Sequence, residues 1–177
     1  MNQAEQDLLV LTAQSGNQQA FGLLFKCYHK SLIGFALKMS RDRELAMDAV
    51  QEAWIKAAKN IRKLDDPRAF RSWIYRLVRW TLTDLLRRKT RQNQHLQSYD
   101  ETTDIDLTAT SDNSDETLTM AIKRLPNIEN QMIHLFYLDE MTVKEISLVL
   151  ELPAGTIKSR LNRARKLLKQ KYQSLEK

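Results

Sequence analysis

The sequence holds a single cysteine, Cys27, so no disulfide forms within the chain and no Cys-based zinc site is available, since such sites need several ligands at short spacings. His29, His95 and His134 stand far apart, and none has a second ligand at metal-site spacing, so neither a metal nor a catalytic role is read for them. Glycine is scarce. The 4 glycines, Gly16, Gly22, Gly34 and Gly155, never fall into a G-x-G or Walker pattern, which leaves no phosphate-cradling loop, no cofactor and no small-molecule substrate in view. With only 3 prolines there is little to interrupt long helices. No apolar run approaches the roughly 20 residues of a spanning helix. No signal-peptide pattern opens the chain either, so membrane insertion is not expected and a reducing cytoplasm is the expected location.

What is abundant is helix-compatible sequence and positive charge. At 177 residues and 42% hydrophobic content the chain can bury one modest core or two small ones. Its net charge of +6 comes from clustered Lys and Arg, which points to a polyanionic partner, nucleic acid before an anionic membrane surface.

Apolar positions recur at steps of three and four, the helical period. A short helix is predicted over Leu8–Ala13, ending at Ser15-Gly16-Asn17. A second, from Gln18 to Met39, carries Phe21, Leu24, Phe25, Tyr28, Leu32, Phe35, Ala36 and Met39. A third follows Arg41-Asp42-Arg43 and carries Ala46, Ala49, Val50, Ala53, Trp54, Ala57 and Ile61. Asp66-Pro67 reads as N-cap and first residue of a long fourth helix through about Arg91, with Phe70, Ile74, Leu77, Thr81 and Leu85 as its buried stripe. Periodicity then stops. Asp100, Glu101, Asp104, Asp106 and Asp112 fall among Ser and Thr with no Lys or Arg, the composition of a flexible acidic linker. About twenty such residues, extended, reach roughly 65 to 70 Å. Helical pattern returns with Leu118, Ala121, Ile122 and Leu125, stops at Pro126, and resumes with Met132, Ile133, Phe136 and Tyr137. The fold class is all-α: two small helical domains, residues 1–95 and 114–177, joined by a linker at 96–113.

The second domain carries a helix-turn-helix pattern. Thr142 and Glu145 form a capping box for a short helix with Val143, Ile146, Val149 and Leu150 on its apolar side; Glu151-Leu152-Pro153 interrupts it. A second helix begins near Ala154 with Ile157, Leu161, Ala164 and Leu168 on one side. The opposite side is centred on Ser159, Asn162 and Lys166, with Lys158, Arg163 and Lys169 flanking it, a composition suited to the major groove. In the first domain Arg76, Trp80, Thr83 and Arg87 line up off the apolar stripe of the fourth helix, among Arg79, Arg88, Lys89 and Arg91. Arginines neutralise phosphates and an indole stacks on unpaired bases. Trp80 therefore has two readings, a DNA-facing residue or, with Trp73, part of the core.

These residues resemble the extracytoplasmic-function group of the sigma-70 family of bacterial RNA polymerase sigma factors. The resemblance lies in Asp48-Ala49-Val50-Gln51-Glu52-Ala53-Trp54, in Phe70-Arg71-Ser72-Trp73-Ile74-Tyr75-Arg76 through Asp84-Leu85-Leu86-Arg87-Arg88, and most specifically in Gly155-Thr156-Ile157-Lys158-Ser159-Arg160-Leu161 followed by Arg163-Ala164-Arg165. It implies a non-enzymatic factor that binds core RNA polymerase and promoter DNA, with an anti-sigma factor as a further partner. By the same resemblance Asp48, Gln51 and Glu52 face the polymerase, and their spacing does put them on one helical face. Asn60, in the loop to Asp66 that resembles the family's base-capturing segment, joins Arg76, Trp80, Thr83 and Arg87 at the minus-10 element. Thr156, Lys158, Ser159, Asn162, Arg163 and Lys166 meet the minus-35 element. The sequence departs from the family at Trp80, where Asn is usual, so minus-10 base preference does not carry over. A helix-turn-helix regulator with an N-terminal sensing domain is the alternative function; it leaves the basic, tryptophan-bearing first domain unexplained. A nucleic-acid-processing enzyme is a third, and lacks a carboxylate cluster or an activated nucleophile.

Overall fold

A computed structural model describes residues 2–95, 122 and 125–175, and among these all regular structure is helical. They fall into two compact units, one on each side of the undescribed stretch. The predicted linker at 96–113 lies outside the described residues, as do Leu118 and Ala121 of the helix expected after it.

In the first unit, α1 (Gln3–Gln14) begins well before Leu8, where the apolar pattern places it. A capping box explains the extension: the Asn2 side chain accepts from the Glu5 amide at 2.8 Å and the Glu5 carboxylate accepts from the Asn2 amide at 3.0 Å. Gly16, at φ +99°, makes the predicted break, and Asn17 then caps α2 (Gln18–Ser40). From α2 the residues Leu24, Tyr28, Leu32, Phe35 and Ala36 enter the core, whereas Phe25 is exposed and Phe21 and Met39 are half-buried. Phe21 and Phe25 nevertheless contact the Trp54 ring, at 5.6 and 5.1 Å between centroids.

The third helix, α3 (Arg43–Asn60), is capped by Asp42, whose side chain accepts from the Leu45 amide at 3.1 Å. Ala46, Ala49, Val50, Ala53, Trp54 and Ala57 are buried as the period predicts, with Ile61 buried in the 3-10 turn (Ile61–Lys63) that follows. Four alanines on that stripe keep side-chain bulk low and let α3 lie close against α4 (Phe70–His95). Pro67 opens a 3-10 turn (Pro67–Ala69) rather than the α-helix itself, which begins at Phe70. The expected stripe of α4 needs correction. Phe70, Ile74 and Thr81 are buried, but Leu77 and Leu85 are only half-buried; Tyr75, Val78 and Leu82 take their place. The helix packs against both α3 and α2, so its buried face is wider than one line and follows the i, i+4 row from Phe70 through Ile74 and Val78 to Leu82.

In the second unit, α5 (Asn127–Ile133) follows Pro126 and runs into a π-helical turn (His134–Leu138), in which the Asp139 amide reaches the His134 carbonyl at 3.1 Å. The capping box predicted for α6 (Val143–Leu150) is present: the Glu145 amide donates to Thr142 Oγ1 at 3.2 Å, and the Thr142 amide to the Glu145 carboxylate at 2.8 Å. Glu151, at φ 57°, ends α6 in the left-handed region, and Ser147 Oγ donates to the Leu152 carbonyl at 2.5 Å across the turn. Then α7 (Ala154–Leu175) starts where expected. Ile157, Leu161 and Ala164 pack inward with Leu168 half-buried, and both α5 and α6 lie against this helix.

Candidate functional site

The side of α4 away from Ile74, Val78 and Leu82 carries Arg76, Trp80, Thr83 and Arg87, which at about 100° per residue fall within a quadrant or so of one another. Trp80 is 43% exposed and not part of the core. The Arg76 guanidinium carbon lies 5.0 Å from its ring centroid, a cation–π contact that helps to hold the indole in place. Arg87 is exposed, and the Thr83 hydroxyl donates to the Arg79 carbonyl at 2.8 Å. Trp73, by contrast, is half-buried beside Phe70. Asn60 belongs to another element, the end of α3, where its amide donates to the Lys56 carbonyl at 2.9 Å.

On α3, Asp48 and Gln51 are exposed and Glu52 is half-buried. Glu52 is already engaged: its carboxylate pairs with Lys56 Nζ at 2.8 Å, and the same ammonium donates to Thr81 Oγ1 on α4 at 3.1 Å. Beside these polar residues stand Met47 and Ile55, 49% and 50% exposed. They share a face with Gln51 at four-residue spacing. Sequence reading passed over both, although the signal was available, because large apolar residues that fall off a helix's buried stripe must face outward. A further link, between Asp42 and Lys89 Nζ at 2.8 Å, joins the start of α3 to the later part of α4. The Lys89 hydrogen bond, helped by the Leu45 amide, holds the Asp42 carboxyl below its ordinary range.

In the second unit, Lys158, Ser159, Asn162, Arg163 and Lys166 are all exposed along α7, and Thr156 is half-buried in its first turn. Ser159 Oγ donates to the Thr156 carbonyl at 3.0 Å. Gly155 is exposed, and an added Cβ would meet nothing within 4 Å, so no packing within the protein demands a glycine there. Midway along α7, on the flank of the outward face, the exposed Arg165 docks on Phe136 and Tyr137. Among the described residues no three His, Cys, Asp or Glu side chains gather as a metal would require, and no helix is long and apolar enough to cross a membrane.

The comparisons with known proteins align with these two units. The family model for sigma-70 region 2 matches residues 24–92, and that for sigma-70 region 4 matches residues 115–168. The chain is 28% identical to the ECF RNA polymerase sigma factor SigW of Bacillus subtilis, over 92% of this chain and 94% of that protein. It is 29% identical to the ECF RNA polymerase sigma-E factor of Haemophilus influenzae, over 94% and 95% respectively. In fold it is similar to the sigma factor RpoE of Bartonella quintana, solved in complex with the anti-sigma factor NepR: TM-score 0.73 at 21% identity, covering 86% of this chain and 96% of that one. With both regions present in order and near-full-length likeness to such factors, the chain belongs to the ECF group of the sigma-70 family, the RNA polymerase sigma factors that direct promoter-specific initiation of transcription.

Proposed function

We propose that the labour of promoter recognition is divided between the two units by face. Residues 1–95 take core RNA polymerase on α3, through Asp48, Gln51 and Glu52, and the minus-10 element on α4, through Arg76, Trp80, Thr83 and Arg87 with Asn60 beside them. Residues 114–177 take the minus-35 element on α7, through Thr156, Lys158, Ser159, Asn162, Arg163 and Lys166, with 96–113 connecting the two. The observation that carries this reading is the sidedness of α7: five polar or basic residues stand exposed along one side of a helix whose other side is buried, behind a tight turn. The factor works in the cytoplasm, catalyses no reaction itself and uses no cofactor. An anti-sigma factor is its inhibitory partner, a reading supported by the likeness to a sigma factor solved with one.

Two measurements test the division. Glu52→Arg reverses charge on the outer edge of α3 and gives up a half-exposed ion pair that contributes at most about 1 kcal/mol. It should fold normally and lose core polymerase in a pull-down; normal capture would remove the α3 assignment. Selection from a randomised duplex library tests α7. Asn162→Ala should change the preferred upstream sequence at a cost of roughly 1 to 3 kcal/mol of discrimination at one base pair. Lys169→Ala should weaken all sequences alike and lower the salt dependence by about one counterion. The opposite pairing of results would mean that α7 docks in another orientation.

A further inference from the structure

Arg165, exposed on the flank of α7, is held toward the π-helical turn. Arg165 Nε donates to the Tyr137 hydroxyl at 2.7 Å, and its guanidinium carbon lies 5.5 Å from the Phe136 ring and 5.7 Å from the Tyr137 ring. The two rings meet edge to face at 5.0 Å, so they present one aromatic corner. That corner sits in the π-helical turn, closed by the Asp139 amide on the His134 carbonyl and by the Met141 amide on the Leu135 carbonyl at 2.9 Å. His134, Leu135 and Asp139 beneath it are buried. The corner is therefore held from below while Tyr137 itself is 50% exposed.

On α7, Arg165 follows Asn162 by three residues and Lys158 by seven, which puts it on the same flank as both. About 100° per residue places it some 70° from the centre of the buried stripe Ile157, Leu161 and Ala164. A contact there resists rotation of the helix about its own axis more than a contact on the stripe itself, because it acts at the edge of the packed face. The small turn of side chain that would send a free arginine to a phosphate is opposed by a hydrogen bond and two cation–π contacts.

We infer that Arg165 and Tyr137 form a positioning pair, which sets the axial rotation of the reading helix so that Lys158, Ser159 and Asn162 face the bases, and that Arg165 makes no phosphate contact of its own. This rests on α7 being the reader of duplex DNA.

The test uses the full chain, bound to the best duplex selected from a randomised library and to a scrambled duplex, across a series of salt concentrations. Three variants separate the roles. Tyr137→Phe removes one hydroxyl, Arg165→Lys keeps the charge without the planar fork, and Arg165→Gln removes the charge. If the pair positions the helix, all three lower discrimination between selected and scrambled duplex by about threefold to tenfold, the size of one lost hydrogen bond or cation–π contact. Their salt slopes equal that of the unaltered protein, and the Tyr137→Phe, Arg165→Lys double variant is no worse than the poorer single one. The inference is overturned if Arg165→Gln lowers the salt slope by about 0.9, one phosphate contact, while Tyr137→Phe and Arg165→Lys bind normally. It is also overturned if the two single effects add. Should the unaltered protein show no preference between the duplexes, the assignment of α7 as reader falls, and this inference with it. Tyr137→Phe leaves a half-exposed ring in place, so circular dichroism should report the same helical content as the unaltered chain.

Discussion

Trp80 and Tyr75 lie little more than a turn apart on α4 yet face opposite surroundings: the indole is 43% exposed and the phenol ring 1% exposed, 5.4 Å from Phe35. Truncating them should separate function from stability. Tyr75→Ala should destabilise the first unit by about 3 to 5 kcal/mol, as other large buried aromatics do. Trp80→Ala should cost less, about 1 to 3 kcal/mol in urea denaturation, from the cation–π contact and the covered half of the indole. In a permanganate assay with polymerase, Trp80→Ala should slow promoter opening while duplex binding persists; normal opening would take the indole out of the melted region. At this scale the sequence was readable where a helix buries one narrow stripe, as α3 does with its alanines, and less so where it packs on two neighbours. On α4 the preference for leucines over Tyr75 and Val78 put Leu77 and Leu85 too deep, because hydrophobicity ranks residues but does not say how wide the covered face is. The docking of Arg165 had no sequence signal at all, since it depends on a π-helical turn that no glycine or proline marks.

At the scale of elements, caps and turns explain where helices begin. Asp42 both caps α3 and pairs with Lys89, and its carboxyl is held below the ordinary value of 3.8 chiefly by that lysine. A carboxyl lowered in the folded state stabilises fully above its ordinary value, and the contribution is lost as pH falls from there through the lowered one. Asp42→Asn keeps a capping oxygen and should flatten the stability loss on that acid limb. Asp42→Ala should cost about 1 kcal/mol more at neutral pH through the missing cap. Chemical denaturation at pH 7 and along the acid limb measures both; equal stability of the two variants at neutral pH would show that the cap contributes nothing. Gly155 gives a second case, because it stands in the first turn of α7 with open space around it. Gly155→Ala should raise stability by up to about 1 kcal/mol in thermal denaturation, since alanine loses less backbone entropy in a helix. A loss instead would show a backbone constraint there. Both capping boxes shape the start of their helices, but only that of Thr142 and Glu145 is marked in the sequence by an apolar stripe directly behind it. The box of Asn2 and Glu5 has the same chemistry but no apolar run follows it at once, so the apolar pattern starts that helix only at Leu8.

Over the whole molecule, a net charge of +6 and two helical units are legible in the sequence, as is the family, through the moderately specific strings around Gln51 and Trp73 and above all the highly specific one around Ile157. Which residues meet polymerase and which meet each promoter element follows from faces, and those depend on packing that composition does not fix. Promoter-specific initiation is tested by combining the full chain with core RNA polymerase and a genomic promoter library and sequencing the transcript 5′ ends. A set of start sites should appear that is absent with core polymerase alone, shares two upstream elements, and is abolished by Glu52→Arg. Transcripts identical to those of core polymerase alone, or new ones only when a second sigma factor is supplied, would contradict it.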